Sequence, residues 1–296
     1  MIERKSIHLD FCVIGAQKAG TTLAFSILKQ SDHIFLPNTK EYPFLIMPQK
    51  DIGQWNPRGA KKAGTCTPQY LGNPWVADKM SDAFPNIKLI AILRDPLQRL
   101  VSHYNMMIRT GREKRSLNDA ISESITIDLP SNGEIIDDTR SYVSSGLYAK
   151  CLQPFYKNFP DRQILLLDFA QVQNDLGGFS ELITKFLDIP KIQKIRYDRR
   201  MQGGSARRIN FDFDLSLKRG WKFLERFIFG ENIKNKIRYE GIRLSQWIME
   251  NNVSPGTGCQ VRDIDPKLKL ALLEIYSSDY QALKDQYNFE GSWFHE

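Results

Sequence analysis

The stretch FCVIGAQKAGTT, residues 11–22, decides the fold. A short apolar run ends at Gly15, a turn of small residues follows, and two threonines stand where a helix can begin. A glycine turn between a strand and a helix exposes several backbone N–H groups, and the helix dipole adds partial positive charge. The stretch therefore predicts a buried strand, an anion-binding loop and a helix.

The lysine of this stretch departs from the nucleotide-binding P-loop. Gly15 and Gly20 have the spacing of G-x-x-x-x-G-K-[ST], and Thr22 stands at its hydroxyl position, but Thr21 replaces its lysine. Lys18 lies inside the loop instead, where a cation can stabilise a leaving phosphate. The loop therefore favours a shorter, differently activated donor than a nucleoside triphosphate. The alternative is a structural turn with an incidental lysine.

The rest of the chain alternates short apolar strands with helices, which predicts an α/β fold with a central parallel sheet flanked by helices. Strands are predicted at residues 11–14, 34–36, 89–93 and 164–167. Helices are predicted after Thr21 and at residues 73–83, 97–107, 117–124, 148–158, 179–187, 215–247 and 266–287, the last capped by Asp265. Loops are predicted at residues 48–64, 127–138 and 251–258. We expect one domain over residues 1–296, with a more helical C-terminal part.

Composition and charge narrow the class of protein. The 296 residues carry a formal net charge of +7, and basic residues are concentrated in residues 194–243. This excess suggests an anionic partner, although a solvated basic helix face explains it equally well. Nucleic acid is not favoured, because no recognition-helix, zinc-finger or RNP-like pattern occurs. The four cysteines form no CxxC pair, and we see neither a secretion signal nor a membrane-spanning stretch, so we expect a cytoplasmic protein.

A second motif, KLIAILRDPLQRLVSHYNM at residues 88–106, places polar groups after another apolar strand. Arg94 follows the predicted strand at its carboxyl end, where open α/β sheets bind ligands. Arg99 and Ser102 follow on the next helix, so these side chains can surround a second phosphate. Two alternatives stay open: Asp95 can be a magnesium-binding carboxylate, or Arg94 can pair with a carboxylate while Ser102 faces the core.

Two phosphate sites at the ends of two strands describe a nucleotide phosphorylated at both ends of its ribose. With these motifs the chain resembles the sulfotransferases that use 3′-phosphoadenosine 5′-phosphosulfate, in the branch shared by bacterial and heparan-sulfate-type carbohydrate sulfotransferases. GAQKAGTT resembles the family's 5′-phosphosulfate loop and LRDPLQRLVSHY its 3′-phosphate segment. KEYPFL, residues 40–45, is similar to its K-E-x-x-F-F element. TPQYL, residues 67–71, the segment 145–169 and the ending GSWF are further landmarks.

The resemblance implies transfer of a sulfuryl group to an acceptor hydroxyl or amine, on a carbohydrate, without a metal ion. Glu41 is then the base and Lys18 stabilises the leaving group. The residues implied in binding the donor are Ala16, Gln17, Lys18, Ala19, Gly20, Thr21, Thr22, Arg94, Ser102, Arg207 and Arg208. The last two belong to a basic loop, residues 203–208, that closes over nucleotide or acceptor, or else is a plain solvated turn. His103 is expected to be structural.

Two functions of other classes stay open at this point. One is an ATP-dependent P-loop phosphotransferase that uses magnesium and depends on Asp95 more than on Arg94. The other is a non-catalytic protein that binds polyanions. Without the family, Glu41 is most simply a carboxylate that pairs with Lys40. The acceptor is open as well, because a lipid, a small alcohol or a peptide tyrosine fits the same motifs.

Overall fold

The computed structural model describes residues 8–38, 40–41, 43–46, 57, 59–131, 133–196, 206–207, 253–254 and 258–294. The centre of this part is a parallel sheet with the strand order β2-β3-β1-β4-β5. Its strands are β1 (Phe11–Gly15), β2 (Ile34–Phe35), β3 (Lys62–Cys66), β4 (Lys88–Leu93) and β5 (Ile164–Asp168). The α/β fold with a central parallel sheet is therefore confirmed.

Helices follow the strands in the order expected of such a fold. They are α1 (Thr21–Leu28), α2 (Val76–Ala83), α3 (Pro96–Arg109), α4 (Leu117–Ser124), α5 (Tyr148–Asn158), α6 (Phe169–Asn174), α7 (Leu176–Leu187) and α8 (Pro266–Tyr287). A separate antiparallel pair is formed by β6 (Ala206–Arg207) and β7 (Val253–Ser254). None of the helices in the described residues is both long and apolar enough to cross a membrane.

Helices α4, α5 and α8 were predicted with the observed bounds, and the starts of α4 and α8 have capping side chains. The Asp265 side chain caps α8 by accepting from the backbone N–H groups of Lys267 and Leu268, at 2.9 and 3.3 Å. Such a cap satisfies donors that the first helical turn leaves without a partner. The helix predicted at 215–247 lies outside the described residues, and a single domain over 1–296 stays a prediction.

Strand β3 contradicts the end of the loop predicted at 48–64, at residues 62–64. Its sequence, KAGTC, has one β-branched residue, Thr65, and no aromatic residue, so it carries little of the composition that marks strands. Gly64 is required here, because a Cβ at this position would lie 2.3 Å from Cζ of Phe11 on the neighbouring strand. The Phe11 ring thus occupies the space that a strand-forming side chain would need. Strand β7 (Val253–Ser254) likewise lies within a predicted loop, at 251–258.

Two helix starts differ from the prediction by three residues, and α3 begins one residue earlier than predicted, at Pro96. Helix α2 begins at Val76 rather than residue 73, because Pro74 disfavours a helical residue before it. Helix α7 begins at Leu176 rather than residue 179, since the Asp175 side chain caps it by accepting from Gly178 N–H at 2.8 Å. The short helix α6 was not predicted.

The sheet order determines which loops meet. Strand β1 lies between β3 and β4, and the Ala16 N–H just after β1 donates to the Ile92 carbonyl of β4 at 2.7 Å. The carboxyl ends of β1 and β4 are therefore side by side. This is the position at which doubly wound sheets bind ligands, since strand order reverses there.

Candidate functional site

The loop after β1 ends in a glycine that no other residue can replace without strain. Gly20 has φ 88°, in the left-handed region, and a Cβ on it would lie 2.5 Å from the Phe169 ring. No side chain among the described residues caps α1, which starts directly after Gly20. The N–H groups of the first helical turn and the positive end of the helix dipole therefore favour an anion at this loop.

Lys18 lies in this loop among other cations. Its backbone is also left-handed, with φ 69°, and its carbonyl accepts from Arg94 Nη1 at 3.2 Å. Burial, and after it the charges of Arg109, Arg94 and Lys40, lower the pKa of its ammonium to about 8, while Glu41 opposes them. The loop and the residue after β4 thus form one strongly positive site. An anionic ligand would relieve this mutual repulsion.

Arg94 is held at the end of β4 by an aromatic contact and hydrogen bonds. Its guanidinium carbon lies 5.0 Å from the centre of the Phe169 ring, and its Nη2 donates to Gln98 Oε1 at 3.2 Å. Its Nε is buried and has no hydrogen-bond partner among the described residues. The contact with Phe169 uses none of the five N–H donors, and the hydrogen bonds to Lys18 and Gln98 use two, so the group retains capacity for a phosphate.

Asp95 is bonded within the fold. Its Oδ1 accepts from Gln98 N–H at 2.8 Å and caps α3, and the backbone N–H of Phe294 also donates to this carboxylate. Burial raises the pKa of Asp95. These bonds give the aspartate a structural role at the start of α3. In the described residues we find no cluster of His, Cys, Asp and Glu suited to a metal ion.

The suggestion that Arg99 helps to surround a phosphate is wrong. Arg99 is fully buried, and its guanidinium donates to the Tyr142 carbonyl and contacts His103 Nδ1 at 3.3 Å. His103 is fully buried too, as expected of a structural residue. Burial, Arg99, Lys18 and Arg112 lower its pKa well below the ordinary histidine value. Ser102, in contrast, is partly exposed, so it does not simply face the core.

Glu41 joins two of the sequence motifs. Its Oε1 lies 3.2 Å from Lys40 Nζ, which is the pairing expected of a structural carboxylate. Its Oε2 accepts from Gln69 Nε2 of the TPQYL motif at 2.8 Å. The side chain is 43% exposed, and its charge acts on Lys18. The carboxylate is therefore oriented by two neighbours and is open to solvent next to the cationic loop.

Asp138 contacts the loop after β1 but was not identified from the sequence. The Asp138 carboxylate, in the predicted loop 127–138, accepts from Gln17 Nε2 at 3.4 Å and from Arg112 Nη1 at 2.7 Å. It also lies 4.0 Å from His103 Nε2. No local pattern indicates these contacts, because the partners are far apart in sequence.

The remaining predicted site residues divide into three groups. Ala16, Ala19 and Thr21 are buried in the loop and at the start of α1, whereas Thr22 is exposed. The backbone of Arg207 pairs with Val253 in the β6–β7 pair, and β6 lies next to α3. Arg208 lies outside the described residues. The roles assigned to all of these residues stay predictions.

Comparison with known proteins identifies one family. The family model described as "Sulfotransferase domain" matches residues 9–255. The chain is 27% identical over 185 residues to heparan sulfate glucosamine 3-O-sulfotransferase 3B1 of Mus musculus. That match covers 61% of the chain and 46% of the relative, so the chain spans about half the length of this relative.

Two solved structures share the fold. A sulfotransferase from Alicyclobacillus acidocaldarius has a TM-score of 0.57 at 21% identity, covering 82% of this chain and 96% of that one. The mouse sulfotransferase SULT7A1, solved in complex with PAP, has a TM-score of 0.50 at 13% identity, covering 96% of this chain and 90% of that one. At these identities the likeness concerns the fold alone.

Proposed function

This chain belongs to the sulfotransferase family, and we propose that it transfers a sulfuryl group from 3′-phosphoadenosine 5′-phosphosulfate to a hydroxyl or amine of a carbohydrate. The observation that carries the proposal is the cationic site shared by Lys18 and Arg94, at the carboxyl ends of two adjacent strands. A donor with anionic groups at both ends of its ribose matches charge at two such places.

The two ends of the donor are assigned to different elements. The 5′-phosphosulfate would accept hydrogen bonds from loop amides of residues 16–22, beside the Lys18 ammonium. The 3′-phosphate would accept from Arg94 and Ser102. The partly exposed guanidinium of Arg94, beside the loop and the start of α3, supports this assignment, because guanidinium forms strong charge-assisted hydrogen bonds with phosphate. ATP lacks a 3′-phosphate and would not make this contact.

The reaction is an in-line displacement at sulfur. The acceptor oxygen or nitrogen forms a bond to sulfur while the bond from sulfur to the bridging phosphate oxygen breaks. Glu41 takes the proton that the acceptor loses, and Lys18 stabilises the negative charge on the departing adenosine 3′,5′-bisphosphate. Lys40 and Gln69 hold the Glu41 carboxylate in place for this step.

The carbohydrate acceptor is proposed from the relatives and from the charge of the site. The family members named above include an enzyme whose name specifies heparan sulfate glucosamine. Lys40 and Arg109 add positive charge around Lys18, which suits an acceptor with carboxylate or sulfate groups. A neutral small alcohol would gain nothing from this charge.

Two measurements test the proposal. Calorimetric titration should show that adenosine 3′,5′-bisphosphate binds more tightly than ATP with magnesium, and that Arg94→Ala weakens binding more than Asp95→Asn does. Incubation with sulfur-labelled donor and a panel of anionic glycans, neutral glycans, phenols and lipids should label an anionic glycan. Tighter binding of ATP would favour a phosphotransferase. Salt-sensitive binding of polyanions without any labelled product would favour a polyanion-binding protein.

A further inference from the structure

The functional lysine has a backbone conformation that its own side chain does not favour. Lys18 has φ 69°. Residues with a Cβ adopt this left-handed conformation only where their surroundings hold it. Two hydrogen bonds stabilise this conformation. Arg94 Nη1 donates to the Lys18 carbonyl at 3.2 Å, and the Ala19 N–H donates to the Ala16 carbonyl across the turn at 3.2 Å.

A second interaction supports the loop through the Asp138 carboxylate. Gln17, the residue before Lys18, donates from Nε2 to Asp138 Oδ1 at 3.4 Å. The other carboxylate oxygen, Oδ2, accepts from Arg112 Nη1 at 2.7 Å. The short bond to Arg112 fixes the carboxylate, and the longer bond to Gln17 connects it to the loop. We name these three residues the Asp138 clasp.

The buried ring of His103 lies next to the Asp138 carboxylate of this clasp. Arg99 can only donate, so His103 Nδ1 accepts from it, and the proton of a neutral ring lies on Nε2. That Nε2 is 4.0 Å from Asp138 Oδ1 and has no hydrogen-bond partner among the described residues. Its N–H dipole attracts the carboxylate and adds to the placement of Asp138.

We propose that Asp138 is a positioning residue of the transfer reaction, which holds the loop through Gln17 in the conformation that places Lys18 against the donor. The proposal rests on the proposed function for its effect on rate. It concerns orientation rather than binding, because Asp138 is an anion and gives no favourable contact to an anionic donor. Its loss should therefore lower kcat and leave the affinity for nucleotide nearly unchanged.

The contact itself is tested without any reaction. The side-chain amide signal of Gln17 in a nitrogen-15 spectrum is assigned by its absence in Gln17→Ala. Asp138→Ala should shift this signal, and so should Arg112→Ala, because each variant removes part of the clasp. Asp137→Ala is the matched control. It removes a neighbouring carboxylate whose Oδ1, among the described residues, accepts only from Thr139 in its own loop. A Gln17 signal unaffected by Asp138→Ala overturns the proposal.

Kinetics test the consequence. Asp138→Ala should lower kcat by roughly tenfold or more, with the dissociation constant of adenosine 3′,5′-bisphosphate changed by less than about threefold. Asp138→Asn should recover most of the rate, since its amide oxygen still accepts from Gln17. Gln17→Ala should lower kcat as much as Asp138→Ala does. The double variant with both substitutions should lower kcat no further than either one alone.

Each failure has a separate meaning. Equal rates for Asp138→Ala and Asp137→Ala, or additive losses in the double variant, overturn the positioning role. A wild-type protein that transfers no sulfuryl group to any acceptor overturns the proposed function instead. In that case the Gln17 signal still decides whether Asp138 holds the loop.

Discussion

Lys18 should take up a proton when the nucleotide binds. Burial and its cationic neighbours, above all Arg109, lower the pKa of its ammonium from 10.5 to about 8. In the free protein about half of this group is therefore neutral at pH 8, and about nine-tenths at pH 9. A bound phosphate favours the charged form and raises the pKa. Binding of adenosine 3′,5′-bisphosphate should then take up about half a proton at pH 8 and about nine-tenths at pH 9.

Calorimetry in several buffers measures this number directly. The observed binding enthalpy, plotted against the ionisation enthalpy of the buffer, has the number of protons exchanged as its slope. The measurement belongs at pH 8 and above, because the second pKa of a phosphate ester is about 6 and the ligand no longer titrates there. Because binding takes up a proton, the affinity for adenosine 3′,5′-bisphosphate should fall as the pH rises above about 8. The fall should approach tenfold per pH unit.

Two variants separate Lys18 from other groups. Lys18→Arg keeps a cation that does not titrate in this range, so it should bind without proton uptake. Lys29→Met is the matched control, since Lys29 bonds to Asn38 after α1 and should not affect the uptake. The reasoning is refuted if the wild-type protein takes up no proton at pH 8 and 9, or if Lys18→Arg takes up as much.

Three further variants test the site and its support. Glu41→Gln should lower the rate of transfer by about 10²–10⁴ in a labelled-donor assay, with little change in bisphosphate affinity; a near-wild-type rate means that another group is the base. Arg94→Ala should weaken bisphosphate binding by about 10- to 100-fold in calorimetry, because a charge-assisted contact is lost; an equal loss of ATP affinity would contradict the assigned 3′-phosphate contact. Gly20→Ala should lower the free energy of unfolding by about 2–5 kcal/mol, from left-handed strain and the clash with Phe169. In Gly59→Ala, φ is 81° and no atom of another described residue lies within 4 Å of the added Cβ, so denaturant unfolding should show only the strain, about 1–2 kcal/mol. Equal losses in the two variants would contradict the clash.

The parts of the fold that were predicted correctly have signals confined to a few neighbouring residues. Helix α8 has a capping aspartate and a proline at its start, and β4 is a continuous apolar run. Strand β3 lacks such a signal, because its middle residue is a glycine that makes room for Phe11 from another strand. A strand whose composition is set by its neighbour's side chain cannot be found from its own residues.

The site shows the same division. Arg94 was placed correctly at the carboxyl end of a strand beside the loop, since that position follows from the order of motifs along the chain. Arg99 was misplaced because helical spacing alone does not tell which face of α3 is buried. The contact between Gln17 and Asp138 joins residues 121 positions apart and depends on how the loop after α4 folds back. Only the three-dimensional structure brings them together.

A crystal structure of the complex with adenosine 3′,5′-bisphosphate tests the central claim most directly. We expect the 5′-phosphate against the amides of residues 16–22 beside Lys18, and the 3′-phosphate against Arg94 and Ser102. A nucleotide bound elsewhere, or with its 3′-phosphate away from Arg94, would contradict the account.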